Sequence, residues 1–162
     1  CIDGGYSKYC TYNKKWLPRH FLVVGDEGRP NGYRIEPEFS KFELEFAEFL
    51  ESCKDVQSYF KNDIQLKQSI EYVKHDGSIG NYFPDFFIKL KNNDRWVVET
   101  KGAEALNDPR KFERLKVWCN DVSKMQGTNW DCLYIRQEIW NGYTERPGAF
   151  QELIELQKSE NF

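Results

Sequence analysis

A mixed α/β domain is what this sequence predicts: one central sheet of about four to five strands, flanked by helices on both faces. Three observations predict it. Two neighbouring runs, Tyr82–Leu90 (YFPDFFIKL) and Trp96–Gly102 (WVVETKG), are apolar at odd and even positions alike, as in strands buried on both sides. An amphipathic segment with helical spacing precedes them, from Ser40 to about Ser52. Behind them follow a helical segment, a strand and another helical segment.

The elements read as follows. Residues 1–36 are rich in Gly, Tyr, Lys and Arg; FLVV within Trp16–Val24 reads as a short strand, and Gly25–Gly32 (GDEGRPNG) as turn or linker. This region reads as an extension or interdomain segment ahead of a domain spanning 37–162. In the first helix Ser40 and Glu43 match a capping box. Phe42, Phe46, Phe49, Leu50 and Cys53 form its apolar stripe, Glu43 and Glu45 flank the stripe, and Glu48 and Glu51 fall on the solvated side. Ile64–Val73 reads as a strand and His75–Asn81 (HDGSIGN) as a turn. Tyr82–Leu90 and Trp96–Gly102 form a hairpin around Lys91–Arg95 (KNNDR). Asp108–Lys124 reads as the second helix, with Phe112, Leu115, Val117, Cys119 and Val122 as its apolar positions. Trp130–Arg136 (WDCLYIR) is a strand, and Pro147–Lys158 a last helix with Phe150, Leu153, Ile154 and Leu156.

Composition narrows the function classes. The 162 residues, 16 % aromatic and 30 % charged, suffice for one folded domain and argue against disorder. A net charge of −3 is not that of a dedicated nucleic-acid binder, although a local basic face is compatible with it. No apolar run reaches the roughly 20 residues of a membrane span. The chain starts at Cys1 rather than Met and reads as a piece of a longer protein. The cysteines (Cys1, Cys10, Cys53, Cys119, Cys132) form no CxxC pair, which points to reduced thiols in a cytoplasmic protein rather than zinc or disulfides. His20 and His75 are isolated and read as surface residues; Cys119, Cys132 and the tryptophans (Trp16, Trp96, Trp118, Trp130, Trp140) read as packing.

The chemistry concentrates on the hairpin. Alternation puts Glu99 and Lys101 on one face with Phe87 and Val97, and Phe86, Ile88, Leu90, Trp96 and Val98 on the other. With the turn near Asn93, Asp85 falls almost opposite Lys101 and shares the face of Glu99. Two carboxylates in apolar surroundings are costly unless they hold a cation. Asp85, Glu99 and the backbone carbonyl of Thr100 are hard oxygen donors suited to Mg²⁺. Such an ion activates water and neutralises charge on a phosphate, while Lys101 orients the water or stabilises the transition state. The set fits metal-assisted hydrolysis of a phosphodiester. Lys111, Arg114 and Lys116 are open to two readings, phosphate contacts or a solvated helix face; interleaved Glu113 and Asp121 favour the solvated face. Tyr82 reads as a core or rim aromatic rather than a base-stacking residue.

Pro84-Asp85 followed by Glu99-x-Lys101 resembles the signature of the PD-(D/E)xK nucleases. FSKFELEFAEFL, DVQSYFKN, YFPDF, VVETKG and ERLKVWC occur in the order seen in the C-terminal endonuclease domain of type III restriction enzymes, and the similarity runs from about Glu38 to Arg136. The resemblance implies a restriction-endonuclease-like fold and a site of Asp85, Glu99 and Lys101. A further acid on the first helix maps onto Glu43, with Glu45 in reserve. It implies Mg²⁺, with Mn²⁺ able to substitute, and double-stranded DNA as substrate. It also implies an ATP-dependent helicase-like motor in a separate, preceding domain, since no GxxxxGK[ST] loop occurs here. A methyltransferase and recognition subunit would read the sequence; separately, a single active site per chain is compatible with dimerisation of two such domains to cut both strands. The family's later Cys-Gly-Lys-Lys-type stretch reads Cys119-Asn120-Asp121-Val122 here. Two alternatives stand beside this reading: a transposon, resolvase or repair nuclease of the same superfamily, and a non-catalytic docking module that keeps the fold.

Overall fold

The computed structural model describes residues 40–62, 68–103 and 105–160. The expectations for FLVV, Gly25–Gly32, Cys1, Cys10, Trp16 and His20 lie outside them, as does the first half of the expected strand Ile64–Val73. The elements in chain order are α1 (Lys41–Ser52), β1 (Val56–Lys61), β2 (Ile70–Val73), β3 (Ile79–Tyr82), β4 (Phe86–Leu90), β5 (Arg95–Lys101), α2 (Asp108–Gln126), β6 (Trp130–Arg136), α3 (Gln137–Gly142) and α4 (Phe150–Glu160). Four strands form a mixed sheet in the order β1-β4-β5-β6; the β1–β4 and β4–β5 pairs are antiparallel and the β5–β6 pair is parallel. The parallel pair is joined through α2, the crossover that parallel neighbours require. β2 and β3 form a separate two-stranded ribbon. The chain thus has the expected restriction-endonuclease-like α/β architecture.

The capping box at α1 is present: the Ser40 hydroxyl accepts from the Glu43 N–H, and the Glu43 carboxylate accepts from the Ser40 N–H. All five stripe residues of α1 are buried. They join Val56, Tyr59, Phe86, Ile88, Leu90, Trp96, Val98, Leu133, Ile135 and residues of α3 and α4 in the larger core, on one face of the sheet. The other face holds a smaller core of Phe87, Val97 and Cys132 under Leu115 and Cys119 of α2 and under Ile70, Tyr72 and Tyr82 of the ribbon. Alternation along β4 and β5 therefore divides the apolar residues between the faces as expected.

Several expectations need correction. β1 was not foreseen as a strand; polar Gln57, Ser58 and Lys61 dilute its pattern, and a register shift between Val56 and Ser58 breaks the alternation. The run Tyr82–Leu90 is two elements, because Phe83-Pro84-Asp85 separates the ribbon from the sheet. The expected turn His75–Asn81 is tighter: Gly77, at φ 85, closes it, and Ile79 already pairs with Val73. Glu51 is not a plain surface charge, since it accepts a hydrogen bond from Tyr59 at 3.0 Å. Val117 is exposed, so the buried stripe of α2 is Leu115 and Cys119, with Phe112 and Trp118 partly buried against it. α2 runs to Gln126, where Gly127 adopts the left-handed conformation (φ 63) that ends helices. α4 begins at Phe150, and α3 was not foreseen.

The hairpin register also differs, by two residues in the partner strand. Phe86 pairs with Val98 and Lys89 with Arg95, which sets Asp85 across from Glu99 rather than Lys101. The cause is a three-residue loop, Lys91–Asn93. The Asn93 N–H donates to Leu90 O, and Asn93 itself is left-handed at φ 76. Asparagine tolerates that conformation better than other residues with a Cβ.

Candidate active site

Asp85 sits where β4 begins and is held from both neighbouring strands. Its carbonyl accepts from the Asn62 N–H at 2.7 Å, just past β1. Its Oδ2 accepts from the Thr100 N–H at 2.8 Å and from the Thr100 hydroxyl at 2.7 Å on β5. The Glu99 carboxylate accepts from the Tyr82 hydroxyl at 2.8 Å. Each carboxylate keeps its second oxygen without a hydrogen bond, and neither forms an ion pair, among the described residues. Burial pushes both carboxyls up. For Glu99, Asp85 adds repulsion, and together they raise it to about 8 despite Tyr82, Lys101 and Lys111. For Asp85, burial and the Glu43 charge outweigh the Thr100 hydrogen bonds and Lys61. The Tyr82 phenol is itself raised by burial and by Glu99.

The other expected residues stand around this pair. Lys101 is close enough to act electrostatically on Glu99, but its ammonium pairs with Asp108 at 3.1 Å. Glu43 faces the Asp85 side. One of its oxygens pairs with Lys61 at 3.0 Å and the other closes the capping box. Thr100 is buried, and its amide and hydroxyl serve Asp85. Glu45 is turned away, accepting from the Trp140 indole at 3.3 Å and lying 3.9 Å from Arg146. Among the described residues no group of three or more His, Cys, Asp or Glu side chains comes together to hold a metal.

Sequence reasoning missed Lys61 and Asp108 here. Lys61 is 7 % exposed and lies between Glu43 and Asp85 in charge terms. Its signal was an inward-facing position two residues after the buried Tyr59. Asp108 is 5 % exposed at the start of α2, where it accepts from the Ala105 N–H. Burial alone would raise it, but that bond and its two lysine partners hold its carboxyl below the usual range. The second partner is Lys111, at 3.0 Å. The Asp-Pro start of a helix with a lysine three residues on was legible as an i,i+3 pair. Lys116 behaves as expected of a solvated helix face, paired with Glu113, whereas Arg114 is half-buried and its Nε donates to the Glu71 carbonyl on β2.

A divalent cation fits the central pair by this arrangement. Two buried carboxylates repel each other, no ammonium neutralises them directly, and each presents a hard oxygen. A family model for the N-terminal domain of TnsA-like endonucleases matches residues 51–132, just over half of the chain. The chain belongs to the TnsA-like endonuclease N-terminal family. Neither a curated protein nor a solved structure matches it. The TnsA-like match runs from the end of α1 into β6, so it contains Lys61, Asp85, Glu99, Lys101, Asp108 and Lys111, while Glu43 lies ahead of it. Membership places the domain in the PD-(D/E)xK-related nuclease superfamily. Among the described residues no helix is long and apolar enough to cross a membrane.

Proposed function

We propose that this chain, from about residue 37 onward, is a divalent-metal-dependent DNA endonuclease domain with Asp85, Glu99 and Lys101 as its catalytic set. The observation that carries this reading is the buried, unneutralised pair Asp85–Glu99 inside a TnsA-like match. Asp85, Glu99 and the Thr100 carbonyl would hold Mg²⁺ or Mn²⁺. When bound, the ion supplies charge neutralisation at the scissile phosphate and a water of lowered pKa. The chain's own groups do the rest. Two hydrogen bonds from Thr100 fix one Asp85 oxygen and one from Tyr82 fixes one Glu99 oxygen, leaving each carboxylate a second oxygen for the cation. Lys101, anchored by Asp108, presents an ammonium beside Glu99 for the attacking water or the phosphate. Glu43 acts through Lys61 rather than as a direct ligand in this arrangement.

Double-stranded DNA is the substrate this chemistry calls for. Of the larger settings, the family match favours a transposon-type nuclease over the type III restriction subunit, whose support is the order of sequence motifs alone. The flanking genes separate the two: a helicase motor and methyltransferase for restriction, transposase partners for the other. The buried thiols of Cys53, Cys119 and Cys132 agree with a reducing, cytoplasmic setting.

The test is plasmid cleavage in Mg²⁺ together with calorimetric titration of the metal. Asp85→Asn should lose metal binding and about a thousandfold or more in cutting. Lys101→Met should lose cutting while keeping metal affinity. Absence of metal binding by the wild type at millimolar concentration would replace this reading with that of a docking module.

A further inference from the structure

We infer that Lys111 is a second DNA-phosphate-binding cation of this site, and that Asp108 is the positioning residue that holds Lys111 and Lys101 side by side. The inference rests on the nuclease reading above and extends it from the acid pair to the strand it must grip.

The geometry is that of one carboxylate shared by two ammoniums. Asp108 Oδ2 lies 3.1 Å from Lys101 Nζ, and its Oδ1 lies 3.0 Å from Lys111 Nζ. The carboxylate is 5 % exposed and the two lysine side chains 24 % and 25 %. One negative charge cancels one positive, so an ammonium is left in surplus in a poorly solvated place. Such a surplus is costly unless an anion arrives. Lys111 is also near enough to act electrostatically on Glu99, so the surplus lies in the neighbourhood of the acid pair.

The same helix provides the comparison. Lys116 and Glu113 are also an i,i+3 pair, at 2.8 Å, but their side chains are 51 % and 71 % exposed. That is a surface pair of little energetic weight. Identical spacing with opposite burial separates a solvated helix face from a built site. The charges also add up suitably. With both acids of the pair ionised around a cation, Asp85, Glu99 and Asp108 set three carboxylates against the two ammoniums Lys101 and Lys111, a sum of one negative charge before the cation is counted. A divalent cation turns that into one positive charge, which a single phosphodiester neutralises. Glu43 and Lys61 cancel each other and do not change the sum.

The experiment measures duplex affinity of the full-length protein by fluorescence anisotropy, with Ca²⁺ in place of Mg²⁺, across a salt series. Lys111→Met should weaken binding about three- to tenfold and reduce the slope of log affinity against log salt by about one. Lys111→Arg should restore both, and Lys116→Met should change neither. Asp108→Asn releases both ammoniums and also removes a negative charge next to the phosphate, so it should slow cutting at least tenfold in kcat without raising KM. Thermal melting accompanies each variant. Lys111→Met with wild-type affinity and slope, in a protein whose Lys101→Met variant has lost cutting, overturns this inference alone. A wild type that neither cuts nor binds duplex overturns it together with the nuclease reading. A fall in melting temperature for Asp108→Asn with an unchanged kcat would make Asp108 a purely structural residue and also overturn it.

Discussion

The two faces of the central sheet are built from the same strands and do opposite things. Under α1, α3 and α4 the face is dry and aromatic. Phe46 packs edge-on to Phe86 at 5.2 Å and to Trp140 at 5.5 Å, and all three are fully buried. Under α2 and the β2–β3 ribbon the apolar cluster is smaller, and its Tyr82 bonds Glu99 while Asp108 at the start of α2 pairs with Lys101. The first face gains stability from shape; the second gives some of it up to keep charges apart from water. Alternation by one residue along β4 and β5 is enough to divide these duties.

Three substitutions probe that division. The largest effect is expected on the dry face: Phe46→Ala should cost about 3–5 kcal/mol in urea unfolding, with metal affinity of the remaining folded fraction unchanged. A loss of metal binding ahead of unfolding would break the separation of the faces. Next comes Glu99. Its folded carboxyl titrates near 8 rather than in the usual range, so the folded state binds this proton more tightly than the unfolded chain. The associated stability is therefore complete below about pH 4, the unfolded value, and is lost as pH rises toward 8. Metal-free wild type should melt at a lower temperature at pH 8.5 than at pH 6. Glu99→Gln should flatten that dependence and stabilise the protein by about 1–3 kcal/mol at the upper pH. Added Mg²⁺ should raise the melting temperature of wild type at pH 8 and leave Glu99→Gln unmoved. A wild-type profile that rises with pH would contradict the buried acid pair. The smallest effect belongs to Ser40→Ala, which should cost about 1 kcal/mol by removing the α1 cap and change cutting by less than about twofold. A larger loss of cutting would show that the box also aims Glu43, and would sharpen the boundary between the faces.

Much of this was readable from residues. The α1 stripe and capping box, the extent of β6, and the partition of Phe86, Ile88 and Val98 from Phe87 and Val97 all follow from periodicity, which burial enforces on both sides of the sheet. What escaped was decided by contacts distant in sequence. Among the described residues β1 pairs with β4 alone, some thirty residues later, and its buried Lys61 meets Glu43 of α1. The hairpin register hinged on the backbone of Asn93, a single left-handed residue. Lys111 looked like part of a solvated face because its neighbours Glu113 and Lys116 are one; only the fold turns it toward Asp108. Proximity of Asp85 to Glu99 was legible, because an X-Pro-Asp before a short hairpin leaves few registers.

Asp85 stitches three strands with one residue: main chain to the segment after β1, side chain to the amide of Thr100. Knocking it out is therefore not a silent way to make an inert control. Alanine at this place would unfasten the end of the sheet as well as erase a charge, whereas asparagine still offers Thr100 an oxygen. Whoever wants a dead yet faithful copy of this molecule should choose the amide.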